Sequence, residues 1–307
     1  MKKLKNSTLQ MYKHIHIIDL SDVLYRAYWS KPTHEFTGKK TGHFTGLCVF
    51  CSKLYELLSA EESSCAIFAF DAPNNSAKRR KIFPEYKRSD ARVKLKEQAP
   101  TMHLDNSNFR KIISIFPNMF CVEKSEYEAD DLIVYLTYKF HKTHKIYIYA
   151  RDYDLFFLQH RCKALMKDAI TNTINIKEKL KKKYRITNPK LLPYIKILNG
   201  DKSDNIPVIF DLRKTKKFVE RWYEDKKVSL YCPELLKEKE AIKRNIKLVM
   251  PLQVKDGVEF TDSSDFTDKE KFEVLVNHNL MNIMQFLVQN KNLLNVRRLY
   301  GKARKQR

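Results

Sequence analysis

Three apolar runs in this chain end on an aspartate: "HIHIIDL" (14–20) at Asp19, "CAIFAFD" (65–71) at Asp71 and "KIYIYARD" (145–152) at Asp152. Each is short, rich in β-branched and aromatic residues, and followed by a stretch with helical periodicity. "NMFCVE" (118–123) repeats the pattern behind the helical "FRKIISIF". Strands of this kind alternating with helices predict a mostly parallel, doubly wound sheet. The strand C-termini of such a sheet share one edge, where ligands bind. The constraint is therefore chemical as well as topological: three strands deliver carboxylates to one crevice.

More acids fall at equivalent places. "SEYEADDLIVYL" (125–136) sets Glu128, Asp130 and Asp131 ahead of Leu132, Ile133, Leu136 and Phe140, which repeat at helical spacing. Alone, that cluster reads equally well as a helix start, where acids complement the dipole. "ARDYDL" adds Asp154, and "NGDKSDNIP" adds Asp201 and Asp204 at i and i+3. Packed like charges repel and raise one another's pKa. The arrangement makes sense if divalent cations neutralise it. Mg²⁺ takes hard oxygen ligands and keeps several waters. Two ions a few Å apart can activate a water and steady both the attacking and leaving oxygens of a phosphodiester. Two Mg²⁺ ions are expected, with Mn²⁺ able to substitute. The nine histidines are scattered without metal-ligand spacing.

Charge points to the substrate. Lys+Arg is 59 against Asp+Glu 36, a formal net charge of +23. Such an excess implies a polyanionic partner, most simply nucleic acid. The segment 74–100 concentrates it, with basic residues from Lys78 to Lys96 and no firm periodicity. Glycine is scarce, and none lies between Gly46 and Gly200, so glycine-rich phosphate cradles are absent. Cys48 and Cys51 form a CxxC inside an apolar helical run, with no second pair to make a zinc site. No apolar run is long enough to span a membrane, and the basic N-terminus lacks a signal peptide's apolar core. A reducing, cytoplasmic setting is expected.

"CKALMKD" and "NTINI" predict two further short strands. From about Pro189 onward the pattern is helical. Residues 1–188 are expected to form an α/β domain, and 189–307 a smaller helical region ending in the basic "KNLLNVRRLYGKARKQR" (291–307).

These pieces together resemble the 5′-nuclease or flap endonuclease family, which includes the 5′-nuclease domain of bacterial DNA polymerase I and the phage ribonuclease H. The resemblance rests on "IIDLSDVLYRAYWS" (17–30), "FAFDAPNNSAKRRKIFPEYK" (68–87), "EYEADDLI" (126–133), "ARDYDLFFL" (150–158), "ITNTI" (170–174) and "ILNGDKSDNIP" (197–207). They occur in family order and span about two-thirds of the chain. "EADD" alone is weak; followed by "DxD" and "GDxSDNIP" it is specific.

The resemblance implies a central parallel sheet flanked by helices, with a helical arch at about 74–100 over the site. It implies that Asp19, Asp71, Glu128, Asp130 and Asp152 gather at an inner metal. Asp131, Asp154, Asp201 and Asp204 would serve a second metal or its water shell. Lys87 of "PEYK" matches an arch lysine at the scissile phosphate, with Arg79 and Arg80 as basic arch neighbours. Tyr25 matches an aromatic on which a terminal base stacks. Where many relatives carry an arginine three residues after the lysine, this chain has Asp90, flanked by Arg88 and Arg92. Relatives also continue "SDNIPG" into a glycine-rich helix–hairpin–helix that grips duplex phosphates and a potassium ion. Here the text is "SDNIPVIFDLRKTKKF", leaving Arg213, Lys214, Lys216 and Lys217 to contact duplex through side chains. This loss resembles the phage branch.

The implied activity is metal-dependent hydrolysis near the 5′ end of annealed strands, removing RNA primers and flaps. Partners would be DNA with a 5′ flap or nick, RNA–DNA hybrid, and a single-strand-binding protein or sliding clamp, met by a monomer. The alternatives are a catalytically idle DNA-binding protein on the same fold and a PIN-type RNase.

Overall fold

The computed structural model describes residues 9–29, 42–88, 106–168, 176–225, 232–255, 257–277 and 280. Arg92, most of "NTINI", the second half of the expected arch and the 291–307 tail lie outside the described residues.

Six strands form one sheet: β1 (His14–Asp19), β2 (Ser64–Ala69), β3 (Met119–Val122), β4 (Lys145–Tyr149), β5 (Leu165–Lys167) and β6 (Phe260–Thr261). Their order is β5-β4-β1-β2-β3-β6. All neighbours are parallel except β6, which runs antiparallel to β3. The chain therefore winds from β1 to β3 in one direction, then returns to β4 and β5 on the other side of β1. Such a reversal opens a crevice at the strand C-termini. Asp19 ends β1 on one side of that point, and the β4 exit carrying Asp152 lies on the other.

Twelve helices are seen among the described residues. The first seven are α1 (Leu20–Trp29), α2 (Gly42–Ala60), α3 (Ala77–Ile82), α4 (Asn106–Ile113), α5 (Ala129–Phe140), α6 (Phe157–Cys162) and α7 (Ile176–Tyr184). Then follow α8 (Leu192–Asn199), α9 (Leu212–Glu224), α10 (Pro233–Lys237), α11 (Lys239–Val249) and α12 (Asp268–Asn277).

The sheet's two faces explain why its strands are almost wholly apolar. Ile15, Ile17 and Ile67 pack with Leu132, Ile133 and Leu136 of α5. Ile18, Phe68 and Tyr149 pack on the opposite face with Leu47 of α2 and Ile112 of α4. Ile195 and Leu198 of α8, Phe218 of α9 and Ile242 of α11 join the α5 side of the core. The C-terminal region thus packs into the core of the sheet domain, and β6 adds an edge strand to it. Two residues of "EFTD" carry no alternating pattern, so β6 has no signature in sequence.

Gly200 terminates α8 at φ +69°, where a Cβ would lie 2.4 Å from the Ile206 carbonyl oxygen. Only glycine allows the "GDKSDNIP" loop to close back on itself. The loop closes with the Ile206 N–H donating to Asp201 at 2.8 Å and the Asp201 N–H donating to Ile206 at 3.1 Å.

Candidate metal-dependent active site

Asp71 follows β2 directly, and α5 begins opposite it. Its Oδ1 accepts from the Ala129 N–H at 3.0 Å and from Asn75 at 2.8 Å, while Oδ2 accepts from the Ser21 hydroxyl at 2.8 Å. The carboxylate therefore sits against the positive end of a helix. Burial alone would raise its pKa, but the Lys87 charge and these donors hold it below the ordinary value.

Glu128 is the N-cap of α5 and forms a reciprocal capping box with Asp131. Its buried carboxylate also accepts from Ser76 at 3.0 Å and pairs with Lys87 Nζ at 2.8 Å. The phenol of Tyr86 lies 3.3 Å from both Glu128 Oε2 and Asp204 Oδ2, so one side chain ties the two acid groups.

Asp19 and Asp130 are pushed the other way. Burial, then the charges of Asp22 and Asp71, raise Asp19 to about 8. Burial, then Asp152 and Asp19, raise Asp130 well above its ordinary value. Asp152 itself is exposed and accepts from the Asp154 N–H at 2.8 Å. The burial and repulsion that raise Asp19 and Asp130 mark a cluster under-neutralised by the chain itself.

A second group lies beside the first. One oxygen each from Asp154, Asp201 and Asp204 fall within 4.8 Å of one another. Lys196 of α8 points into this triad, pairing with Asp154 and lying 2.5 Å from Asp201 Oδ2. Burial would lower Asp201's partner ammonium, but Asp154, Asp152 and Asp201 keep Lys196 raised well above its ordinary value. Lys196 in turn overcomes the burial of Asp201 and brings it down to about 2. Asp154, with Asp152 beside it, is raised by burial to about 7 despite the same lysine. A cavity of about 30 Å³, lined in part by Glu128, Asp130, Asp154, Lys196 and Asp204, joins the two groups. It has room for a water-sized occupant. The donor set is hard oxygen throughout, which fits Mg²⁺ or Mn²⁺.

The basic residues divide. Lys87, in the left-handed region at φ +56°, donates its backbone N–H to the Asp204 carbonyl at 2.9 Å. Asn205 donates to the Glu85 carbonyl at 2.9 Å, so the "PEYK" turn is docked on the "KSDN" loop. Arg80 reaches the Tyr86 carbonyl at 3.3 Å, Arg88 is exposed, and Tyr25 is 41% exposed on α1. Arg79 departs from the expectation of a nucleic-acid contact: it is 4% exposed and bonded to Asp131. Asp131 departs with it. Its oxygens accept from Arg79 twice, from the Leu252 N–H and from the Glu128 N–H, which fills its lone pairs. On α9, Thr215, Phe218, Val219 and Trp222 are buried at helical spacing, leaving Arg213, Lys214 and Lys217 exposed and Lys216 half-buried.

Sequence reasoning missed Lys196, Tyr86, Ser21, Asn75 and Ser76. Lys196 had a signal: it occupies a core position within "LLPYIKIL", and a cation there needs a carboxylate. The neutral partners had none.

Residues 14–185 match the 5′-3′ exonuclease N-terminal resolvase-like domain. The chain belongs to this 5′-3′ exonuclease family. The 5′-3′ exonuclease of Aquifex aeolicus is 32% identical over 201 residues, covering 64% of this chain and 65% of its own length. DNA polymerase I of Bacillus caldotenax is 32% identical over 204 residues, covering 64% of this chain and 22% of the polymerase. The chain thus spans less than two-thirds of either relative. Among solved structures, the T5 5′-exonuclease with bound zinc superposes with TM-score 0.55 at 15% identity, over 88% of this chain and 98% of that one. Flap endonuclease-1 from Methanococcus jannaschii gives 0.54 at 15% identity, over 96% and 95%. At these identities the likeness supports the fold, a mostly parallel sheet flanked by helices, as expected from the sequence of this exonuclease-family chain.

Proposed function

We propose that the protein is a divalent-metal-dependent 5′-nuclease that hydrolyses phosphodiesters near the 5′ end of a strand annealed to DNA. The observation that carries this reading is the meeting of two carboxylate groups under one docked lysine, Lys87, at the strand C-termini of the family fold. Asp19, Asp71, Glu128, Asp130 and Asp152 would hold an inner Mg²⁺; Asp154, Asp201 and Asp204 would hold an outer one. When bound, such ions supply an activated water and charge neutralisation at the phosphate.

The chain's own residues orient and neutralise. Ser21, Asn75 and the Ala129 N–H fix the Asp71 rotamer. Glu128 holds Lys87 at the edge of the cluster, where an ammonium stabilises charge developing on a phosphate oxygen. Arg80 and Arg88 would guide the single strand, and Tyr25 would stack a terminal base. Arg213, Lys214, Lys216 and Lys217 would meet the duplex. The related T5 D15 flap endonuclease forms a complex with DNA and metal ions, which agrees with this substrate class. Removal of RNA primers and flaps in phage-type replication, by a monomer working with a single-strand-binding protein or clamp, follows from the sequence resemblance.

The test is cleavage of 5′-labelled nicked, flapped and RNA-primed duplexes, with and without Mg²⁺, against plain single-stranded RNA. Mg²⁺-dependent release of short 5′ products from the annealed substrates is expected. Binding without cleavage, or preference for plain RNA, would end this reading.

A further inference from the structure

Helix α7 was not among the expected contacts. Its sequence, "IKEKLKKKY", with Arg185 following, has one acid, Glu178, and is otherwise dominated by lysine. Leu180 is fully buried and anchors the helix, while Lys177, Lys181, Lys182, Lys183 and Arg185 are exposed. Lys177, Lys181 and Arg185 recur every fourth residue, one stripe with a rise of about 6 Å per step. Among the described residues no acid forms an ion pair with Lys177, Lys181, Lys182 or Lys183. Concentrated like charge is unfavourable for the helix and needs another reason to be there.

Its place in the fold supplies one. Lys183 Nζ lies 4.5 Å from the ring centre of Tyr153 and 5.1 Å from that of Tyr184. Tyr153 sits between Asp152 and Asp154, and Tyr184 feels the charges of Lys196, Asp201 and Asp154. The C-terminal end of α7 therefore abuts the acid crevice. Both α7 and α9 pack against the short turn Pro189–Leu191 that leads into α8. Sheet order sets α7 apart from the "PEYK" segment. The "PEYK" segment lies in the β2-to-β3 crossover, whereas α7 follows β5 at the far edge beyond β4. The acids lie between. A substrate that passes the "PEYK" segment and continues across the acids toward β5 would meet α7.

We propose that the exposed face of α7 is a phosphate-binding surface for the duplex part of the substrate, an inference that rests on the 5′-nuclease reading above. With no glycine between Gly200 and Gly257, the chain cannot bring backbone amides to duplex phosphates in a glycine hairpin. Long side chains on a helix anchored through Leu180 do that work instead.

The experiment measures equilibrium binding in chelator, so that nothing is cleaved, across a salt series. The probes are a hairpin duplex carrying a 5′ single-stranded flap and the flap oligonucleotide alone. The variant is K177Q/K181Q/K182Q/K183Q, with the pairs K177Q/K181Q and K182Q/K183Q measured separately in case the fourfold change disturbs folding. The salt slope falls by roughly 0.9 for each phosphate contact removed. A fall of about 2 to 4 in slope on the flapped duplex is expected, about half that in each pair, and little change on the single strand. Arginine in place of all four lysines should restore the slope. An unchanged slope on the duplex overturns the proposal, and so does an equal loss on both probes, which would reduce α7 to general steering. Failure of the wild-type chain to cleave any 5′ end in Mg²⁺ would overturn the nuclease reading while leaving this binding result to decide on α7.

Discussion

Arg79 donates from its two terminal nitrogens to the two carboxylate oxygens of Asp131, each at 2.8 Å. The pair is buried, and Arg79 Nε reaches the Leu248 carbonyl at 3.0 Å. One ion pair therefore joins α3, the start of α5 and the end of α11. The sequence resemblance implied an arch contact for Arg79 and a metal role for Asp131, yet their geometry has them holding the site together.

Breaking a buried pair from one side leaves an unpaired charge and costs about 3–5 kcal/mol. Arg79→Met should therefore lower unfolding free energy by about that amount in a denaturant titration. Asp131→Asn should cost a similar amount, and the double variant less than the sum. A stable Arg79→Met protein that has lost only nucleic-acid affinity would return Arg79 to the substrate surface.

Asp71→Asn and Asp130→Asn should each reduce cleavage by roughly a thousandfold, about 4 kcal/mol of transition-state stabilisation. Binding of a flapped duplex in chelator should stay near wild type, because binding comes from the basic side chains. Asn75 and Ser21 can still engage an amide at position 71. Rates within tenfold of wild type would remove these acids from the site.

The pH dependence has a definite sign. Asp19 is raised to about 8 in the folded chain, against an ordinary value of ~4 unfolded. A raised carboxyl binds its proton more tightly when folded. Its contribution to stability is present at low pH and is lost as pH rises from ~4 through about 8. In chelator the wild type should lose stability over that window, and Asp19→Asn, which keeps an oxygen for the Asp22 N–H, should lose less. Divalent metal should flatten the profile, since it binds the ionised form and stabilises by mass action. A wild-type profile that rises with pH across this range would contradict the assignment.

Lys196, itself buried, supplies the Asp154–Asp201–Asp204 triad with a charge the chain provides itself. Lys196→Met should destabilise the protein in chelator, because Asp154 and Asp201 lose their shared cation. Mg²⁺ should then raise its melting temperature by more than it raises that of wild type. Equal Mg²⁺ shifts in the two proteins would mean that lysine and ion do not share the triad.

The sheet and the inner acids were legible because each is a local pattern: an apolar run, its period, and an acid at its end. Asp19 and Asp71 needed no knowledge of tertiary contacts. Arg79 and Asp131 did. Nothing local distinguishes an arginine that meets phosphate from one that turns inward, because the choice is made by α11, more than 160 residues along the chain, which offers the Leu248 carbonyl. Strand β6 escaped for a related reason, since two residues pair with β3 only because the chain returns there. The lysines of α7 were visible as residues, but their meaning depends on Tyr153 lying beneath Lys183.

Lys87 poses the sharpest test of chemistry against tethering. Its Nζ is held 2.8 Å from Glu128 Oε2, and its backbone N–H is fixed on Asp204. A lysine restrained at both ends reaches a limited region, so it suits a single phosphate rather than a mobile strand. Lys87→Ala should slow cleavage of a saturating flapped substrate by roughly a hundredfold, in the range found when one preorganised charge donor is removed. Affinity in chelator should fall by much less, since Arg80 and Arg88 remain. Removing the lysine also takes a cation away from Asp71 and leaves Glu128 to Arg79 at 3.4 Å, so a melting curve in Mg²⁺ must accompany the kinetics. Lys87→Arg keeps the charge but changes its shape, and should recover affinity more fully than rate. If rate and affinity fall together by the same factor in a protein that melts normally, Lys87 is an electrostatic tether and the cluster acts without it.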